Sequence, residues 1–257
     1  MQTNIRGLLF IFVNKPLNEG YDMNKKRLVV LSGAGMSAES GISTFRDANG
    51  LWENYPVEDV ASIDGFRRNP ALVLKFYNAR RRDYAGCKPN AGHIGLAEME
   101  KEYDVRIITQ NVDDLHERAG STRVIHLHGE LMKNRSVATD SVLYPVDPTN
   151  PDLHVGDLAP DGCQLRPFIV WFGEAVPMIE PAIEEVTQAD ILVVIGTSLN
   201  VYPAAGLLNY APRNCPIYLI DPKPVRSTSR QDIRYIHAPA TEGVRMLRQE
   251  LRDIIDC

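Results

Sequence analysis

Leu28-Val29-Val30-Leu31-Ser32-Gly33-Ala34-Gly35-Met36-Ser37-Ala38-Glu39-Ser40-Gly41 is the stretch around which the chain is organised. Leu28 to Leu31 is an apolar, β-branched run of the length of a buried strand. It stops at Ser32-Gly33-Ala34-Gly35, and small residues continue to Gly41. A strand that ends in glycines and leads into a segment able to open a helix is the phosphate-cradling turn of a dinucleotide fold. Without Cβ atoms the backbone N–H groups can approach a pyrophosphate, and a helix N-terminus adds partial positive charge. Gly33 and Gly35 supply G-x-G, Ala38 takes the third glycine position, and no Gly-Lys-Ser/Thr follows, which disfavours a P-loop NTPase. The acidic residue expected about 20 residues on, at the end of a second strand, is missing. Thr44, Phe45, Arg46 and Trp52 follow instead. A glycine-rich surface turn is the plainer alternative for the stretch taken alone.

A chain of 257 residues with 44% hydrophobic and 24% charged content can bury a sizeable core. The net charge of −5 argues against a surface for duplex nucleic acid. Cys87, Cys163, Cys215 and Cys257 form no C-x-x-C pair and no disulfide framework, so a reducing cytoplasm is expected. Leu8 to Val13 is apolar but too short to span a bilayer, and no membrane association is expected. Residues 1–24 are expected to be a loosely packed or disordered extension, with the folded domain over 25–257.

Along the chain, Val105 to Thr109, Val124 to Leu127, Ile191 to Ile195 and Ile217 to Ile220 read as further strands, each closing in polar or small residues. Helices are expected from Pro70, over Asn90 to Tyr103 with Ile94, Leu96, Ala97 and Met99 inward, over Leu115 to Ala119, Pro181 to Gln188 and Glu242 to Ile255. Residues 131–166 are rich in Asp, Pro, Ser and Thr and show little periodicity, which suggests a small inserted module or a mobile flap. The predicted class is therefore α/β: a doubly wound, parallel, Rossmann-like sheet with a smaller inserted domain. The core is expected over about 25–40, 91–130 and 168–257, and the small domain over about 41–90 and 131–167. Ligands of such sheets sit at the carboxyl ends of the strands. That rule gathers Gly33 to Ser37, Gln110 to Asp113, His128, Gly196 to Ser198 and Asp221 along one edge.

Five blocks, GAGMSAESGISTFRD, TQNVDDLHERAG, IHLHGEL, VWFGE and GTSLNVYPAA, together resemble the sirtuins, the NAD-dependent protein-lysine deacylases. They stand in the family's order. FYNARRR resembles the bacterial class III members, in which a Tyr-x-x-Arg pair admits acidic acyl groups such as succinyl; here the pair is Tyr77 and Arg80. The resemblance implies NAD as cofactor and acyl-lysine protein or peptide as partner. It implies attack of the acyl oxygen on the anomeric carbon, release of nicotinamide, and O-acyl-ADP-ribose as product. The protein is expected to act as a monomer.

His128 is the candidate base. An unperturbed imidazole titrates near pH 6.5 and is largely neutral in the cell, although a strand-edge histidine bonded to a carbonyl is the bland alternative. Asn111 is the second candidate catalytic residue. Gln110, Asn111 and Asp113 carry amide and carboxylate groups able to fix ribose hydroxyls, the nicotinamide amide or a water, while Asn111 or Asp113 could instead cap the next helix. The family pattern puts these three in the NAD site. It also points to Gly33, Ala34, Gly35, Ser37, Ala38, Thr44, Phe45, Arg46, Trp52, Gly196, Thr197, Ser198, Asp221 and Ala240. Val170, Trp171 and Phe172 would offer a strand edge to a substrate peptide, and Tyr77 and Arg80 share a helix face toward the acyl group. Arg81 and Arg82 are expected to be solvated.

One departure from the family concerns metal. Most members hold a structural zinc on four cysteines, but only Cys163 stands in that region, and one thiolate cannot build a tetrahedral site. No metal is expected, and Leu143, Tyr144, Leu153, Leu158 and Leu165 are expected to hold the module. The competing functions are NAD hydrolysis or ADP-ribose transfer through the same pocket, and non-catalytic NAD sensing.

Overall fold

A computed structural model of the chain describes residues 25–44, 55–225 and 232–255. The expected extension 1–24, and Phe45, Arg46 and Trp52, lie outside the described residues. The strands among the described residues are β1 (Arg27–Ser32), β2 (Asp104–Thr109), β3 (Val124–His126), β4 (Gly129–Ser136) and β5 (Leu143–Pro145). They continue as β6 (Leu165–Ile169), β7 (Ile191–Ile195), β8 (Ile217–Ile220) and β9 (Ile233–Ile236). Six of them form a parallel sheet in the order β3-β2-β1-β7-β8-β9. This is the doubly wound Rossmann-like order. The chain leaves β3 at one edge and returns at β7 beside β1, so the order reverses between β1 and β7. In such sheets the crevice for ligands opens at that reversal.

Both faces of β1 are covered, which explains its unbroken apolar run. Leu28 and Val30 pack with Leu96 and Met99 of the helix Ala91–Met99 and with Val244 and Leu247 of the helix Ala240–Ile255. Val29 and Leu31 face the other way, onto Ala182 and Val186 of the helix Ile179–Thr187 and onto Leu207 and Leu208 of a 3-10 helix, Ala204–Tyr210. Each such fully buried side chain contributes about 1.5–3 kcal/mol of apolar transfer.

The differences from the sequence reading have physical causes. Residues 131–166 hold regular structure: β4, β5 and β6 form an antiparallel sheet in the order β5-β4-β6. Its buried positions include Asn134, Ser136 and Arg166, so polar residues hide the alternation that marks a strand. β9 follows β8 as a further parallel strand, where Ile217 had marked the last clear one. Its exposed Arg234 and Tyr235 interrupt a four-residue signal. Ile94 is 45% exposed rather than inward, because it lies on the open side of its helix.

The small sheet shares an apolar cluster with the helices at residues 57–85, built on Phe66, Leu74, Phe76, Tyr77, Leu131, Leu153 and Trp171. Arg81, expected in solvent, is 1% exposed. Its guanidinium donates to the carbonyls of Leu131 and Pro151 and to Asn134 Oδ1, stitching the helix Pro70–Ala85 to the insert. Arg82 is exposed and pairs with Asp152. Leu153 is buried and Leu165 packs against the same cluster, but Leu158 is 57% exposed, so it does not hold the outer loop. Hydrogen bonds do so. Gln164 accepts from Gly156 N and donates to the His154 carbonyl, its own carbonyl accepts from Val137 N, and Asp161 accepts from Cys163 N.

Candidate functional site

The strand ends meet as the topology requires. Gly33 N donates to the Ile195 carbonyl at 3.0 Å and Gly35 N to the Gly196 carbonyl at 2.8 Å, closing the β1 turn onto the β7 turn. The approach leaves no room for side chains. A Cβ on Gly33 would stand 2.7 Å from Thr197 Cβ, and one on Gly35 would stand 2.6 Å from Gly196 Cα. Gly196 also has φ +59°, in the left-handed region where only glycine is at ease. The helix after the turn, Gly35–Ala38, is a single turn, so its dipole is small.

Ser37 Oγ donates to Asp113 Oδ2 at 3.0 Å. The Asn111 side-chain amide donates to the Gly33 carbonyl and to Ser37 Oγ, both at 3.1 Å. The first of these acceptors has no proton to give, so Nδ2 must face it. Burial pushes the Asp113 carboxyl above its ordinary range, opposed by hydrogen bonds from Leu115 N and Ser37. Asp113 therefore also accepts at the start of the helix Leu115–Arg118, through Leu115 N at 3.1 Å. The N-cap position itself is Asp114, whose side chain makes no capping bond. Gln110 Nε2 donates to Thr197 Oγ1 at 3.0 Å, tying the β2 end to the β7 end.

His126 and His128 lie on one side of the chain as it leaves β3. His128 Nδ1 stands 3.0 Å from the Gln110 carbonyl and His126 Nδ1 stands 3.2 Å from the Asn111 carbonyl. Carbonyl oxygens only accept, so both Nδ1 atoms carry hydrogen. At His126 the other nitrogen meets Glu117 Oε1 at 2.7 Å. Burial would lower the His126 pKa, but the Glu117 carboxylate outweighs it and raises it, favouring the imidazolium. Burial dominates at His128 and holds its pKa below the ordinary 6.5, with the Gln110 bond opposing. His128 is thus the neutral ring of the pair, with Nε2 holding a lone pair. Gly129, at φ +81°, turns the chain beneath it, where a Cβ would collide with the Phe168 carbonyl.

The remaining expected residues fall as follows. Ala34 is half-buried in the turn and Ala38 is exposed at the end of the short helix. Thr197 is 8% exposed and Ser198 is open to solvent. Asp221 follows β8 at the same edge, and its Oδ1 accepts from Lys223 N at 2.8 Å. Ala240 is buried against the helix Ala91–Met99, its carbonyl next to Gly92. Thr44 is half-buried ahead of the undescribed segment.

Trp171 is 2% exposed and its indole Nε1 donates to Tyr77 OH at 2.9 Å. The Arg166 guanidinium lies 3.4 Å above the Trp171 ring and pairs with Glu174 at 2.6 Å. Sequence reasoning overlooked Arg166 and Glu174; an arginine within an apolar strand was the available signal. The backbone at 170–172 is largely committed. Val170 N donates to the His128 carbonyl, Trp171 N to Glu174 Oε2, and Phe172 pairs with Ala61 and Ile63 through both its backbone groups. The Phe172 side chain is 51% exposed. Arg80 lies on the helix Pro70–Ala85, one turn beyond Tyr77 and next to Phe76.

Comparison with known proteins follows the same lines. The family model described as the Sir2 family matches residues 33–203. An NAD-dependent protein deacylase of Bacteroides thetaiotaomicron is 59% identical over 229 residues, covering 88% of this chain and 98% of that protein. Another NAD-dependent protein deacylase, from Helicobacter pylori, is 54% identical over 226 residues, covering 88% and 97%. Among solved structures, a complex of a Sir2 homologue with NAD superposes with a TM-score of 0.78 at 39% identity, over 89% of this chain and 91% of that one. A mutant Sir2 homologue bound to ADP-ribose gives 0.78 at 38%, over 89% and 94%. With its glycine-cradled strand reversal, and at this identity along most of its length, the chain belongs to the Sir2 family, the sirtuins.

Proposed function

We propose that this protein is an NAD-dependent protein-lysine deacylase that removes both acetyl and succinyl groups, releasing nicotinamide and O-acyl-ADP-ribose. The observation that carries the reading is His128: a neutral ring, fixed as the Nδ1–H tautomer by Gln110, at the end of strands that meet in a glycine cradle. The residues suit NAD by a simple test. Gly33, Gly35 and Gly196 let the turns after β1 and β7 close on each other, since any Cβ there would stand under 3 Å from the facing turn. The polar groups of Ser37, Gln110 and Asn111 gather at that junction, a set suited to the hydroxyls and phosphates of a dinucleotide.

NAD, when bound, supplies an electrophilic ribose carbon and nicotinamide as leaving group. The rest falls to the chain. His128 Nε2 takes the proton of a ribose hydroxyl, and the Gln110 carbonyl keeps the ring oriented for it. Asn111 gives its N–H groups to Gly33 and Ser37, which leaves its side-chain oxygen to accept from a hydroxyl or water. Ser37 and Asp113 hold that amide in place. Tyr77 accepts from Trp171, so its own O–H remains to donate to an acyl carboxylate, with Arg80 one turn further along the same helix.

The test is mass spectrometry of acetyl-lysine and succinyl-lysine peptides incubated with the protein and NAD. Loss of each acyl mass, with matching O-acyl-ADP-ribose, is expected. ADP-ribose formed at the same rate without acylated peptide would favour NAD hydrolysis instead. NAD binding with no nicotinamide released would leave a sensor.

A further inference from the structure

Arg80 is not an isolated cation. Its Nε and Nη2 both donate to Oδ2 of Asp83, at 3.1 and 2.9 Å, one turn along the helix Pro70–Ala85. The guanidinium carbon lies 5.1 Å from the centroid of the Phe76 ring, so Arg80 is held from two sides. The side chains differ in exposure, at 17% for Arg80 and 58% for Asp83. A guanidinium has five N–H donors, and among the described residues Asp83 takes two, so three stay available for a second carboxylate.

We infer that Asp83 is a specificity-determining residue, the counter-ion that limits how strongly Arg80 draws an acidic acyl chain. This rests on the reading of Tyr77 and Arg80 as the acyl-binding pair. A succinyl carboxylate that reaches Arg80 finds a cation whose charge is already balanced, with a second anion bonded to the same group. An acetyl group carries no charge and does not sense Asp83. Two effects of removing Asp83 oppose each other: the cation gains attraction, but it loses a tether. The contact with Phe76 and the small exposure of Arg80 keep the guanidinium in place, so the gain in attraction wins.

Asp83→Asn isolates the charge, because the amide keeps an oxygen that accepts from Arg80. Asp83→Glu keeps the charge on a longer arm. Steady-state kinetics of both variants are measured on matched succinyl- and acetyl-lysine peptides at saturating NAD. Asp83→Asn is expected to raise kcat/KM for the succinyl peptide about two- to fivefold through a lower KM, the range of an exposed charge pair. Its acetyl kinetics stay unchanged, and Asp83→Glu keeps the wild-type ratio. The gain fades toward 1 M salt, where the screening length falls to about 3 Å. An unchanged succinyl-to-acetyl ratio in Asp83→Asn, with Arg80-dependent desuccinylation intact, overturns this inference alone. Desuccinylation that does not depend on Arg80 at all overturns the acyl-pocket reading and the inference with it.

Discussion

The Nδ1 of His128 lies 3.0 Å from the carbonyl oxygen of Gln110, and this one contact fixes which ring nitrogen can accept a proton. It also ties His128, the proposed base, to the residue whose amide bridges to Thr197 across the strand reversal.

His128→Ala should abolish deacylation while leaving NAD affinity within about tenfold, since a base contributes mainly in the transition state. In the wild type the base is lost as pH falls through the lowered pKa of His128, so the acid limb of kcat/KM should lie below the ordinary 6.5. Isothermal titration with NAD and a pH–rate profile check both statements. An acid limb above 6.5 would assign the titration to another group.

Gly196→Ala should break the cradle. The added methyl meets Met36 N and the Gly35 backbone, at a φ of +59° that already costs an L-residue about 1–2 kcal/mol. The expected result is loss of the thermal shift produced by NAD, measured by scanning fluorimetry with and without it.

Arg80→Met should depress desuccinylation more than about tenfold, the worth of a charged hydrogen bond, and deacetylation much less. Equal losses on the two peptides would remove Arg80 from the acyl pocket.

Glu174→Gln leaves the buried Arg166 guanidinium, 2% exposed, without its carboxylate. Breaking a buried pair typically costs about 3–5 kcal/mol. In a chain of this size that lowers Tm by about 10 °C. Adding Arg166→Met should restore part of the loss, which calorimetry on the single and double variants would show.

His93 and His116 form a buried pair with ring centroids 4.8 Å apart, and His93 Nε2 and His116 Nδ1 have no partner among the described residues. His116 Nε2 stands 3.0 Å from Ser32 Oγ, directly below the cradle. Burial lowers the His93 pKa to about 4 and that of His116 well below 6.5. Between those values and 6.5 the unfolded chain binds more protons than the folded one, so stability is full above about 6.5 and falls with pH below it. The slope should approach about 1.4 kcal/mol per pH unit for each histidine. His93→Gln should flatten it in denaturant titrations from pH 7 to 5; an unchanged slope would discharge His93 from this role.

Local chemistry made the parallel sheet legible. Leu28 to Leu31 and Ile191 to Ile195 announce strands covered on both faces, and glycines at their ends announce where backbone must lie bare. The strand-end rule likewise collected Gln110, Asn111, Asp113 and His128 before any coordinates. What escaped was the small antiparallel sheet and the polar interior that serves it. Arg81 and Asn134 look like surface residues until they meet across 53 residues of chain, and Arg166 until Glu174 and the Trp171 ring enclose it.

Residue types and their order along the chain were enough to establish the family resemblance, the strand ends and the position of His128 at one of them. The charge state and tautomer of that histidine depend on a carbonyl 18 residues away and on burial, neither of which is written in its neighbours. The same holds for Arg81, held by carbonyls 50 and 70 residues on, which makes it a buried strut where its neighbour Arg82 is a surface charge. Hydrogen-bond partners and dielectric are properties of the folded chain, because they are set by which distant segments exclude water together.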